Sequence, residues 1–103
     1  MEKSVSKVEL IIRPPLSYDV SKKSGGITIN PEVFEGEKLG GLIIRLVNQT
    51  PEILQRVYDS ARGEIFPPII TIVNGSIVNR VDALEKELVD GDQITWFLMY
   101  AGG

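Results

Sequence analysis

Neither cysteine nor histidine occurs among the 103 residues. Without cysteine there is no disulfide framework, no thiolate nucleophile and no cysteine metal site, and thiols say nothing about redox compartment. Without histidine the chain lacks the side chain whose unperturbed pKa of about 6.5 suits proton exchange near neutrality, so acid–base chemistry would fall to carboxylates, lysine or tyrosine. Positive charge is also short. Lys and Arg number 11 against 14 Asp and Glu, and the net charge of -3 leaves no basic footprint for a phosphate backbone. This argues against nucleic acid as a partner, while a basic protein partner remains allowed. No apolar run approaches the roughly 18 residues of a membrane span. The opening MEKSVSKVEL has no apolar stretch behind its charges, so no secretory signal is expected and a cytoplasmic location is.

What is present is ordinary globular material: 43% hydrophobic and 24% charged residues, enough for one domain with one core. Val8, Leu10 and Ile12 alternate with Glu9 and Ile11, as in a strand with one buried face. Pro14-Pro15 stop it, the polar LSYDVSKKSGG reads as an exposed connection, and Ile27 to Ile29 predict a second strand paired with the first. From Lys38 the period changes. Leu39, Leu42, Ile43 and Leu46 fall on one helical face, widened by Val47. Gly40 and Gly41 weaken this helix, so it must lean on packing, or the pair lets another element come close.

Thr50-Pro51-Glu52 predicts a restart, with threonine as N-cap, proline at the first helical position and glutamate at the positive helix end. Ile53, Leu54 and Val57 would give this second helix its core face, and Gly63 would end it. Ile69 to Val73 returns to strand chemistry. Asn74-Gly75 tolerate the positive backbone angles of a type I′ turn, which predicts a hairpin with Val73 opposite Ser76. NRVDALEKEL predicts a looped or single-turn crossover anchored by Val81, Leu84 and Leu88, followed by a turn at Asp90-Gly91-Asp92. The last strand, Gln93 to Met99, places Ile94, Trp96 and Leu98 on one face and Thr95, Phe97 and Met99 on the other. Strands around a central helical block indicate an α+β domain with one sheet face covered by helix. A single helical layer cannot bury both faces of ITWFLMY, so part of that segment should meet a second small cluster or face a partner.

ITIVNGSIV, then Leu88-x-Asp90-Gly91-Asp92, a last apolar strand and terminal Gly102-Gly103 resemble the sulfur-carrier family of the β-grasp (ubiquitin-like) fold, which includes the molybdopterin-synthase small subunit (MoaD) and the thiamine sulfur carrier (ThiS). The likeness covers the whole chain in element order. It implies an α+β β-grasp domain over residues 1–103, a mixed sheet of four to five strands packed on a helix pair, with a flexible tail from about 99 to 103. It also implies a protein co-substrate without catalytic residues or a bound cofactor or metal. A ubiquitin-activating-type adenylyltransferase, using ATP and magnesium, would join the Gly103 carboxylate to AMP. A sulfur donor protein would then displace AMP, leaving a thiocarboxylate for a sulfur-accepting synthase such as the molybdopterin-synthase large subunit. Gly102 and Gly103, lacking Cβ, suit a narrow channel. Phe97, Met99, Tyr100 and Ala101 are the expected partner-binding residues, because aromatics and methionine are enriched in interface cores, whereas Trp96 is expected in the core.

The chain differs from many sulfur carriers in having Leu98-Met99 in place of a proline pair, and in a longer loop between Pro14 and Gly26. Its length and second helix favour molybdopterin biosynthesis over thiamine; tRNA thiolation is a further destination. The alternatives are a ubiquitin-like modifier joined to target lysines, and a plain ubiquitin-like interaction domain. Asp90-Gly91-Asp92 lacks the further oxygen ligands of a calcium loop and reads as a turn. Glu85, Glu87 and Asp90 read as a solvated acidic patch able to attract a basic surface. Gly25-Gly26 and Gly40-Gly41 lack the spacing and lysine of a phosphate loop.

Overall fold

The computed structural model describes residues 6–14 and 26–98, except for the side chains of Pro51 and Ile53. Its elements in chain order are β1 (Ser6–Lys7), β2 (Glu9–Ile12), β3 (Ile27–Ile29), β4 (Glu32–Val33), α1 (Leu39–Gln49), α2 (Pro51–Leu54), β5 (Tyr58–Asp59), β6 (Glu64–Ile65), β7 (Ile69–Val73), β8 (Ser76–Val78), α3 (Arg80–Leu84) and β9 (Gln93–Leu98).

Five strands form one mixed sheet in the order β3-β2-β9-β7-β8, and β1·β4 and β5·β6 are two-residue ribbons beside it. The expected hairpin joins β2 to β3 antiparallel, with Leu10 opposite Ile29 and Ile12 opposite Ile27. Strand β9 then returns between β2 and β7, parallel to β2 and antiparallel to β7. A parallel neighbour demands a long crossover, and α1 supplies its covering layer. Leu39, Leu42, Ile43 and Leu46 are buried along one stripe of α1, in the same core as Leu10, Ile12, Val73, Ile94 and Trp96. Each such side chain contributes about 1.5–3 kcal/mol by leaving water, which is how a helix with two glycines in its first turn persists. One of those glycines also serves an approach: a Cβ on Gly40 would stand 3.1 Å from the Leu84 carbonyl oxygen of α3, whereas one on Gly41 would meet nothing closer than 3.8 Å.

The predicted type I′ turn is present, with φ of 50° at Asn74 and 88° at Gly75, and Val73 faces Ser76. The crossover after it is the expected short helix. Asn79 caps it by accepting from Val81 N at 2.8 Å.

Three expectations fail. Thr50 does not cap a second helix: its N–H and hydroxyl both turn back to the Leu46 carbonyl, at 2.7 and 3.2 Å, and so close α1. The helix pair is present, but its second member is a single turn, shorter than expected, because α2 stops at Leu54. The chain then enters a ribbon in which Tyr58 pairs with Ile65; Asp59 Oδ1 accepts from Ala61 N and Arg62 N, and Gly63 takes φ 69° in the ribbon's turn rather than ending a helix. A β-branched and an aromatic residue, Val57-Tyr58, followed by an aspartate turn overrode the helical spacing. Leu54 and Val57 are nonetheless fully buried. Finally, Val81 is 60% exposed and Ala83 takes its place in the core, while Leu88 is buried as expected. No helix among the described residues is long and apolar enough to cross a membrane.

Candidate functional site

The last strand runs through the middle of the sheet, and its start is tightly fixed. Asn74, at the hairpin tip, gives its N–H to the Gln93 carbonyl at 2.8 Å, accepts from Gln93 N through Oδ1 at 2.8 Å and donates through Nδ2 to Asp92 Oδ1 at 2.9 Å. Asp92 also accepts from Val89 N at 2.9 Å and pairs with Lys86 at 3.2 Å. Burial works to raise the Asp92 pKa, but Asn74, the Val89 N–H and Lys86 outweigh it and hold the carboxyl below its ordinary value. Asp90 in turn accepts from Lys7 N at 2.8 Å. Both carboxylates of the Asp90-Gly91-Asp92 turn thus serve to dock the strand's beginning, with Gly91 at φ 88°.

Alternation along β9 then sorts its side chains. Ile94 and Trp96 are fully buried against α1, with Leu98 half-buried beside them. Phe97 points to the opposite, outer face and is half-buried there, which settles its position as expected from alternation and outside the main core. The register assembles a row across that face. Ile11 lies opposite Thr95, Thr95 opposite Ile72, and Ile72 opposite Ile77. In the next row Phe97 faces Ile70. Polarity changes along the strand: at its start Gln93 Nε2 donates to Glu9 Oε1 at 2.6 Å on this same face, and toward its end the residues are apolar. Ile77 is 70% exposed. On the β7–β8 side the surface dips into a cleft of about 240 Å³ whose apolar lining includes Pro67, Ile70, Ile77 and Val78.

Ile70, Ile72 and Ile77 were not among the residues named from sequence. The available signal was the lack of polar alternation in IITIV, a run that must be apolar on both faces. Met99, Tyr100, Ala101, Gly102 and Gly103 lie outside the described residues, as do the tail expected at 99–103 and the loop residues 15–25.

No family model matches the sequence, and none of the curated proteins compared with it does. Solved structures do. The crystal structure of SAMP1 from Haloferax volcanii superimposes with a TM-score of 0.69 at 22% identity, covering 95% of this chain and 100% of that one. The solution structure of Urm1 from Trypanosoma brucei gives 0.67 at 19% identity over 99% and 100%. That of small archaeal modifier protein 1 (SAMP1) from Methanosarcina acetivorans gives 0.64 at 18% identity over 98% and 100%. These likenesses, with the parallel central pair and the helix laid across one face, establish that the chain has the ubiquitin-like β-grasp fold.

Proposed function

We propose that this chain is a ubiquitin-like carrier protein, not itself an enzyme, whose Gly103 carboxylate is activated by a partner and becomes a thiocarboxylate. The observation that supports this most is the placement of β9. It is the central strand, its outer face grows apolar toward Leu98, and the sequence then runs Met99-Tyr100-Ala101-Gly102-Gly103. In this reading the outer face, with Phe97, Ile70 and Ile77, docks the activating enzyme while Met99, Tyr100 and Ala101 lead the two glycines into its active site.

An α-carboxyl group with an ordinary pKa near 3.5 is already ionised at neutral pH and needs no base on the carrier. It attacks the α-phosphorus of ATP, pyrophosphate leaves, and an acyl adenylate forms. A hydrosulfide-level nucleophile delivered by a donor protein adds to the acyl carbon. AMP leaves with the bonding electron pair, and the thiocarboxylate remains. ATP, magnesium and the catalytic groups belong to the partner, which is how a cytoplasmic protein without cysteine or histidine would take part. For the sulfur acceptor we favour a molybdopterin-synthase large subunit, on family resemblance and chain length; the one-turn α2 removes the second helix from its support.

The test is incubation of the full chain with its activating enzyme, ATP and sulfide, followed by intact mass. Exchange of one oxygen for sulfur is expected. Deletion of Gly103 should abolish it, and Phe97→Ala should raise the KM for the carrier about tenfold with kcat little changed, as for a lost docking contact. An unmodified mass under conditions where an acyl adenylate forms would refute the sulfur reading. A second reading, conjugation to target lysines, is favoured by the fold's likeness to proteins named as small archaeal modifiers. It predicts isopeptide adducts that need the same Gly103 carboxylate.

A further inference from the structure

The hairpin tip between β7 and β8 holds a reactive pair of residues. Asn74 precedes Gly75, whereas Asn30, Asn48 and Asn79 precede Pro31, Gln49 and Arg80. A glycine has no side chain to shield its own backbone nitrogen, and here a Cβ built on Gly75 would meet nothing within 4 Å. Both residues are open to solvent. The nitrogen of Gly75 lies within reach of the Asn74 side-chain carbon, provided that the side chain is free to swing back toward it.

In the folded chain it is not free. Asn74 Oδ1 accepts from Gln93 N at 2.8 Å and Nδ2 donates to Asp92 Oδ1 at 2.9 Å, so both ends of the amide are tied across to the start of β9. Together the two bonds require an amide. A carboxylate in its place keeps the acceptor for Gln93 N but has no donor for Asp92, and it sets two negative oxygens where that hydrogen bond stood. Asp92 is buried, and among the described residues Lys86, at 3.2 Å, is the cation paired with it. Like charges so placed oppose each other's ionisation.

We infer that Asn74 is a site of deamidation, guarded by its two hydrogen bonds and open to reaction when the start of β9 comes away. The Gly75 nitrogen gives up its proton to water and bonds to Asn74 Cγ. The Cγ–Nδ2 bond then breaks, and ammonia leaves with the electron pair and a proton from water. A second water adds to either carbonyl of the cyclic imide, whose nitrogen takes back the bonding pair and a proton as the ring opens. In sum one water enters and one ammonia departs. The product is aspartate or isoaspartate, and the extra backbone carbon of the latter would upset the pairing of Val73 with Ser76. Neither remakes the bond to Asp92, so the change leaves a lasting mark at the root of the strand that carries Phe97. The inference does not depend on the chemistry of Gly103.

The experiment incubates the full chain at neutral pH and reads the exchange of NH2 for OH at Asn74 by peptide mass spectrometry, beside the free peptide acetyl-Ile-Val-Asn-Gly-Ser-Ile-amide. A reaction that runs through local opening is slowed by the rarity of the open form, so the folded chain should react at least about tenfold more slowly than the peptide. Asp92→Ala, which releases Nδ2, should recover much of the peptide's rate. Ile65→Val, a core truncation in the β5·β6 ribbon, should not; amide spectra check that both variants fold. The product is tested on its own: Asn74→Asp should lower the urea midpoint at neutral pH, and Asn74→Asp/Asp92→Asn, which exchanges acid and amide, should recover part of the loss. Equal rates in the folded chain and the peptide would overturn the inference, as would equal acceleration by Ile65→Val and Asp92→Ala, which would make global unfolding the route. An Asn74→Asp chain as stable as its parent would overturn the claim that the mark weakens the strand's anchorage.

Discussion

The two faces of the sheet are built from the same strands and much the same residues, yet they have opposite fates. On the inner face Leu10, Ile12, Ile94 and Trp96 are no more than 1% exposed. On the outer face Ile11, Ile70, Ile72 and Phe97 are half-buried and Ile77 is open to solvent. Hydrophobicity does not separate them; the number of layers does. Among the described residues one helix is long enough to cover a sheet face, and it lies on one side. Burial of the inner residues stabilises the isolated chain, whereas Ile77 gains almost nothing until another surface meets it. A contiguous apolar surface of this kind on a small domain marks a place of contact.

The strongest challenge to that distinction is a pair of neighbours. Trp96→Ala is expected to destabilise by about 3–5 kcal/mol in urea unfolding, and Phe97→Ala, one residue on, by about 1 kcal/mol or less. Similar losses at both would erase the difference between the faces. Acid offers the next test, because the covered layer is tied at its rim by depressed carboxyls. Burial tends to raise Glu37, but the hydrogen bonds from Arg45 and Phe34 N and the charge of Arg45 prevail and lower it from 4.5; Asp92 is likewise lowered from 3.8. The folded state thus binds fewer protons than the unfolded one in this range. The stability contributed is complete above the ordinary carboxyl values and is lost as pH falls through and below them. Denaturation midpoints measured down the acid limb should decline there, and Glu37→Gln should flatten the decline.

A smaller effect concerns Thr71, which faces Trp96 across the β7–β9 pair. Thr71 Oγ1 and Trp96 Nε1 are buried with no hydrogen-bond partner among the described residues. Thr71→Val should therefore raise stability by about 1 kcal/mol, and a loss of stability would show that the hydroxyl has a role on the covered side. The same contrast recurs on α1. Gly41→Ala should stabilise by about 0.4–1 kcal/mol, while Gly40→Ala, crowding the Leu84 carbonyl, should forfeit that gain; melting temperatures of the two variants decide it. Least of all, Ile77→Ser should change stability by no more than about 0.5 kcal/mol yet, under the proposed function, weaken binding of an activating enzyme.

Much of this was legible in the residues. The Asn74-Gly75 hairpin, the apolar stripe of α1 and the sorting of Trp96 from Phe97 follow from rules that act over a few positions. Where reading failed, a longer-range competitor won. Thr50 has the chemistry of an N-cap, but its hydroxyl and N–H both bond instead to the Leu46 carbonyl left open by the end of α1. Leu54 and Val57 keep helical spacing, and both are buried, yet the backbone between them leaves the helix because Tyr58 finds a strand partner in Ile65. The candidate docking face was half visible. Phe97 could be assigned by alternation from Trp96, whereas Ile70 and Ile72 flank Thr71, the one polar residue of the run, and it lies on the covered side, so local polarity does not mark which face will be covered.

Backbone torsions and side-chain period are properties of short segments, so the sequence alone determined the turns at Asn74-Gly75 and Asp90-Gly91-Asp92, the helical stripe and the two-sided greasiness of the last strand. Which side the helix covers, which of two adjacent glycines must stay a glycine, and which carboxylates are matched by a cation were decided only when distant residues came together. Those outcomes depend on what a side chain meets across the fold, and no local rule contains that information.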